Sequence, residues 1–142
     1  MYPSEEKLVQ QFLEKMIQYE SWSIIGFCTE FDYSRGRTDI VIVSSDNEVI
    51  AIEAKLYKWK VALQQAYRNK CFADKSYVLL PAKKAAFAQQ YSHEFNKRGV
   101  GLCSIEEESI VVLQDVEANP PIQPWLREKV LELTREAVPC PL

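Results

Sequence analysis

The chain has 142 residues, 47% of them hydrophobic and 26% charged, and a formal net charge of −3. That size supports one domain over residues 1–142 with one core, and the slightly acidic balance excludes binding of nucleic acid by overall charge alone. No apolar run approaches the roughly eighteen residues of a membrane span, and the polar start MYPSEEK does not read as a signal peptide, so a soluble cytoplasmic protein is expected.

In chain order, Ser4 reads as the N-cap of a first helix to about Tyr19, with Leu8, Val9, Phe12, Leu13, Met16 and Ile17 as its apolar stripe. Trp22 to Thr29 reads as a first strand. Two short β-branched runs follow, Ile40 to Val43 and Val49 to Ala54, separated by the polar tip Ser44 to Glu48, which is the pattern of a hairpin. Helical spacing returns from about Lys58 to Cys71 through Trp59, Ala62, Leu63, Ala66 and Tyr67. Ser76 to Leu80 is a strand stopped by Pro81, and strand-helix-strand order predicts a parallel pair. A helix from Ala82 to Arg98 carries Phe87, Tyr91 and Phe95 and ends at Gly99. Strands at Val100 to Ile105 and Ile110 to Leu113 flank the exposed turn Glu106 to Glu108. A last helix runs from Pro124 to about Ala137 with Trp125, Leu126, Val130 and Leu133 facing inward. The expected class is α/β, a central mixed sheet flanked by helices, in the order α-β-β-β-α-β-α-β-β-α.

Two carboxylates stand out in this scheme. Asp39 heads the second strand and Glu53-Ala54-Lys55 closes the third, where buried charge is costly unless something compensates it. Side chains alternate along strands, so Asp39 and Glu53 meet on one face only if cross-strand partners have an even position sum, such as 39 with 53. This predicts an odd-length loop, for instance Ser45 to Asn47, or a bulge. Converging carboxylates offer the hard oxygen ligands that Mg²⁺ or Mn²⁺ prefers, with the backbone carbonyl of Ala54 as a further donor and Lys55 placed to orient a water or neutralise phosphate charge. Bases are concentrated nearby: between Phe31 and Lys84 ten Lys or Arg face six acids, and Arg35, Arg37, Lys58 and Lys60 are candidate contacts to nucleic acid. Cys28, Cys71, Cys103 and Cys140 lack metal-ligand spacing and read as reduced structural thiols. The single histidine, His93, reads as solvent-exposed, and Trp59 as a core residue.

Asp39, a thirteen-residue gap, Glu53-Ala54-Lys55, a helix carrying Gln65-Ala66 and a strand ending at Pro81 resemble the PD-(D/E)XK nuclease superfamily. The resemblance covers about Ser4 to Pro81. It implies a restriction-endonuclease-like fold with core order α-β-β-β-α-β and C-terminal additions, and Mg²⁺-dependent (or Mn²⁺-dependent) hydrolysis of phosphodiester bonds in DNA by a small endonuclease or a repair or recombination nuclease. Asp39 and Glu53 are the implied ligands, Lys55 the catalytic base or stabiliser, and Gln65 the helix glutamine near the active site. Thr38 stands where the superfamily's name has proline, and Asn69 rather than tyrosine follows Gln65 by four residues. Either Glu5 or Glu6 is a candidate for the first-helix glutamate that nears the metal in some members. The alternative is a module that kept the fold and binds nucleic acid or a partner without cleavage. A chain this small is expected to grip a duplex as a homodimer or within a larger assembly.

Overall fold

The computed structural model describes the backbone of residues 2–33 and 36–136 and side chains as far as residue 134. Six strands form one mixed sheet in which spatial order follows chain order: β1 (Ile24–Asp32), β2 (Arg37–Ser44), β3 (Val49–Ala54), β4 (Lys75–Leu79), β5 (Gly101–Glu106) and β6 (Ser109–Gln114). The pairs β1–β2, β2–β3 and β5–β6 are antiparallel, while β3–β4 and β4–β5 are parallel. Parallel neighbours need a crossover between them. One is α2 (Trp59–Arg68), and the other is α3 (Ala82–Ala88) followed by α4 (Ser92–Arg98). With α1 (Glu5–Met16) before the sheet and α5 (Pro124–Glu136) after it, the class and element order agree with the reading from sequence.

The middle strands are apolar on both sides because both sides are covered. Ile40, Ile42, Ile50 and Ile52 pack with Leu8, Phe12 and Met16 of α1. Their alternate neighbours Val41, Val43, Val49 and Ala51 pack with Phe72 and with Leu126 and Val130 of α5. A third cluster joins Val78 and Leu80 to Ala62, Leu63 and Ala66 of α2 and to Phe95. Each fully buried side chain of this kind contributes about 1.5–3 kcal/mol. Helix α1 begins where expected: Ser4 is extended and its Oγ accepts a hydrogen bond from Lys7 N at 3.2 Å.

Several boundaries differ from the sequence reading. Trp22 lies in a 3-10 turn, Glu20–Trp22, and β1 starts at Ile24 and runs on to Asp32. The Trp22 ring is held by Tyr19 and Tyr77, at 4.8 and 5.3 Å between centroids, so packing outweighs its β preference. Helix α1 stops at Met16, leaving Ile17 47% exposed. The expected single helix over 82–98 is broken by a 3-10 turn, Gln89–Tyr91. Phe95 is buried but Phe87 is half exposed, because a four-residue spacing drifts about 40° per step around a helix. In α5, Leu126, Val130 and Leu131 face inward, whereas Trp125 and Leu133 are exposed. Arg127 helps set that rotation, since its Nε lies 3.0 Å from Oδ2 of Asp74, the oxygen that also accepts from Val49 N.

Gly101 of β5 pairs with Tyr77 of β4. A Cβ there would lie 2.5 Å from the buried Tyr77 ring and 2.8 Å from the Gln114 carbonyl oxygen. Gly101→Ala is therefore expected to lower stability by about 1–3 kcal/mol, measured by denaturant melting.

Candidate metal and phosphate site

The hairpin that carries the site keeps the expected parity. Ile40 pairs with Ile52, Val41 with Ala51, Ile42 with Ile50 and Val43 with Val49. One further step in this register sets Asp39 opposite Glu53. At the other end Ser44 N donates to Glu48 O at 3.0 Å, so the loop is Ser45 to Asn47, three residues long, and Asn47 takes the left-handed conformation (φ 64°) that closes such loops. A two-residue turn would have put the carboxylates on opposite faces.

At the site end the ladder opens. Ala54 N donates to Asp39 Oδ2 at 2.8 Å in place of a strand partner, and Lys55 N donates to Leu79 O of β4 at 3.1 Å. The Asp39 and Glu53 carboxyl groups are near enough to influence each other's protonation. Burial and the neighbouring Asp39 charge push the Glu53 carboxyl up to about 8, although Asn69 and Arg68 act in the opposite sense. Asp39 is also raised, by burial first and by the charge of Glu5, while its bond from Ala54 N, the Glu53 carboxyl and the charge of Lys55 work the other way. Two carboxylates this close cannot both stay charged in a half-dry setting without a cation.

The sign for stability follows. The native state holds the Glu53 proton between about pH 4.5 and about pH 8 while the unfolded chain has lost it, so metal-free stability falls as pH rises through that window. Melting in EDTA is expected to show this fall, and Glu53→Gln to flatten it. A wild-type curve that stays level or rises relative to the variant would contradict the assignment.

Glu53 is only 3% exposed and its orientation is held from the end of α2. Asn69 Nδ2 donates to Glu53 Oε1 at 3.0 Å. The Asn69 carbonyl oxygen accepts from Tyr33 and Thr38 hydroxyls, both at 2.8 Å, which turns the amide nitrogen toward Glu53. Sequence reading did not assign Asn69 and Tyr33 to the site, and it noted Thr38 only as a departure from proline. A polar residue at the foot of the helix that follows Glu53 was the one available signal. Asn69→Ala strips three buried groups of their partner, so a stability loss of about 1–3 kcal/mol is expected. Calorimetry with Mn²⁺ should show affinity reduced about 10- to 100-fold.

Lys55 is 23% exposed, and its Nζ lies 4.0 Å from Glu5 Oε1 in the first turn of α1. Of the two first-helix candidates, Glu5 is the one with this contact and with an influence on Asp39, while Glu6 lines the same cleft as Glu5. Glu5, Arg37 and Asp39 line one cleft of about 570 Å³. Arg37 Nη1 lies 3.3 Å from Glu30 Oε1 on its rim.

The remaining sequence candidates are more scattered. Gln65 stands one helical turn before Asn69 with its Oε1 buried and unpartnered, and among the described residues no hydrogen bond joins it to Asp39, Glu53 or Lys55. Lys58 is exposed, in a left-handed conformation just before α2. Lys60 Nζ sits 5.7 Å from the Trp59 ring centroid, and Trp59 itself stacks on Tyr91 at 4.7 Å. Arg35 and Cys140 lie outside the described residues. His93 is exposed as expected and lies 3.2 Å from Glu94. Cys28, Cys71 and Cys103 are free thiols, and among the described residues no helix is long and apolar enough to cross a membrane.

Among solved structures, a protein of unknown function from Silicibacter pomeroyi, SPO1766, is similar over 94% of this chain and 85% of its own, with 14% identity and a TM-score of 0.63. That likeness shows a shared fold. Pyrococcus furiosus SfsA in complex with Ca²⁺ aligns over 80% of this chain and 65% of its own, with 12% identity and a TM-score of 0.46. No protein-family profile matches the chain, and no curated protein matches it.

Donor chemistry at the site fits a hard divalent cation. The Asp39 and Glu53 carboxyl groups and the Ala54 carbonyl are oxygen donors, and burial raises both carboxyls. Among the described residues no group of three His, Cys, Asp or Glu side chains is placed to hold a metal ion, here or elsewhere. Two side-chain ligands with waters completing the shell is the usual arrangement for Mg²⁺.

Proposed function

We propose that the chain is a Mg²⁺-dependent nuclease of the restriction-endonuclease-like fold that hydrolyses phosphodiester bonds in DNA. The observation that carries this reading is the facing Asp39–Glu53 pair, charge-starved and set beside Lys55 at the open end of β2 and β3. The order α1-β1-β2-β3-α2-β4 also supports it, being the core order of the PD-(D/E)XK superfamily that the motif resembles.

In this reading Asp39, Glu53 and the Ala54 carbonyl hold the ion, which when bound supplies Lewis-acid polarisation of the phosphate and a more acidic water. Asn69 fixes the Glu53 carboxylate through Oε1, and Ala54 N fixes that of Asp39 through Oδ2. The ammonium of Lys55, held only loosely by Glu5 at 4.0 Å, is free to turn to the scissile phosphate, where it orients the attacking water or offsets the charge that builds on phosphorus oxygens. Arg68, whose charge reaches Glu53, and Arg37 at the cleft rim add positive potential for the phosphodiester backbone.

The test is a panel of single-stranded, duplex, flapped and branched DNA incubated with Mg²⁺, Mn²⁺ or EDTA. Metal-dependent cleavage of at least one substrate is expected. No cleavage of any, with Lys55→Ala indistinguishable from wild type, would leave a binding module that kept the fold without the chemistry.

A further inference from the structure

Two residues beyond Lys55 the chain enters a groove that the metal site does not use. Its main cavity, about 800 Å³, lies between Tyr2 and Gln11 of the α1 segment, the Leu56-Tyr57 link and Lys83 and Lys84 of α3. A smaller recess of about 160 Å³ shares Tyr57 and Lys84 with it and adds Lys58 and Phe87. Tyr57 is 58% exposed and Phe87 is 50% exposed. Three lysines and no acidic side chain line the two recesses.

Exposed aromatic faces interleaved with lysines suit a polymer with flat apolar units on an anionic backbone, which is an unpaired nucleic-acid strand. A duplex keeps its bases stacked on each other and offers only their edges, so it cannot use the faces of Tyr57 and Phe87. Lysines, as mobile point charges, suit a backbone that is tracked without sequence preference. The contacts begin beside the catalytic lysine: the Cα atoms of Lys55 and Tyr57 are no more than about 7 Å apart.

We propose that this groove receives an unpaired strand, with bases stacking on Tyr57 and Phe87 and phosphates at Lys58, Lys83 and Lys84. The inference deepens the nuclease reading and rests on it for the direction of the strand toward Lys55. It names the substrate class as single-stranded DNA or RNA, or the unpaired arm of a branched molecule.

Fluorescence anisotropy with short labelled oligothymidine and oligouridine, in EDTA so that nothing is cut, tests it. Wild type is expected to bind at least one of these more tightly than duplex DNA of equal length. Tyr57→Ala and Phe87→Ala are each expected to weaken binding about 5- to 100-fold, with Tyr57→Phe close to wild type. Both positions are exposed, so the variants should melt with the wild type, and a matched melt makes the binding change readable. Lys83→Gln with Lys84→Gln should flatten the salt dependence. Equal affinity for duplex, unchanged binding in Tyr57→Ala, or competition by polyglutamate as strong as by oligothymidine would overturn the proposal. If these variants behave as expected while Mn²⁺ binding survives Asp39→Asn, the metal-site reading fails and the groove stands; the reverse pattern fails the groove alone.

Discussion

Asp39→Asn and Glu53→Gln are each expected to lower cleavage by at least about two orders of magnitude, together with the loss of calorimetric Mn²⁺ binding. Each change keeps shape and removes the charge that a hard cation needs. Neither should unfold the protein. Asn at position 39 still offers a carbonyl oxygen to Ala54 N, and Gln at position 53 still accepts from Asn69. Glu53→Gln also removes the buried charge that is repelled by Asp39 and raises the Glu53 carboxyl, so above about pH 8 the metal-free variant should melt higher than wild type. Loss of activity with a gain in stability separates a site that stores electrostatic strain for function from a structural ion pair, whose removal would cost both.

Lys55→Ala is expected to reduce turnover about 100- to 1,000-fold while Mn²⁺ affinity stays within a few-fold of wild type. Removing a group that acts on the developing charge lowers the rate constant for cleavage more than it lowers substrate binding. Lys55 is partly exposed and its ion pair with Glu5 is long, so little stability depends on it. Lys55→Arg should restore part of the neutralisation but not the geometry, because the planar guanidinium cannot replace a compact ammonium. Single-turnover rates at saturating metal check both variants.

The convergence of Asp39 and Glu53 was legible in the sequence because strand geometry has a period of two. Once both runs are strands, the parity of one loop decides whether two residues meet, and Ser45 to Asn47 is an odd loop. Ser4 was legible for a similar reason, its hydroxyl bonding a backbone group three residues away. Asn69 was not. Its partners Tyr33, Thr38 and Glu53 lie 36, 31 and 16 residues away in the chain, and only the packed sheet and the end of α2 bring them together. Glu5 and Glu6 look alike in sequence, and the contact of Glu5 with Lys55 depends on how α1 is seated by Leu8, Phe12 and Met16. The misplaced Trp125 and Leu133 share one cause: apolar periodicity gives a helix face but not the rotation at which the helix docks. In α5 that rotation is tied to the Arg127–Asp74 contact.

The most direct measurement is a Mn²⁺-soaked crystal with data collected for anomalous scattering. An anomalous peak within about 2.0–2.6 Å of Asp39 and Glu53 carboxylate oxygens is the predicted result, with the Ala54 carbonyl on the same ion. No peak there at a Mn²⁺ concentration that supports cleavage, or a peak only elsewhere on the protein, would contradict the account.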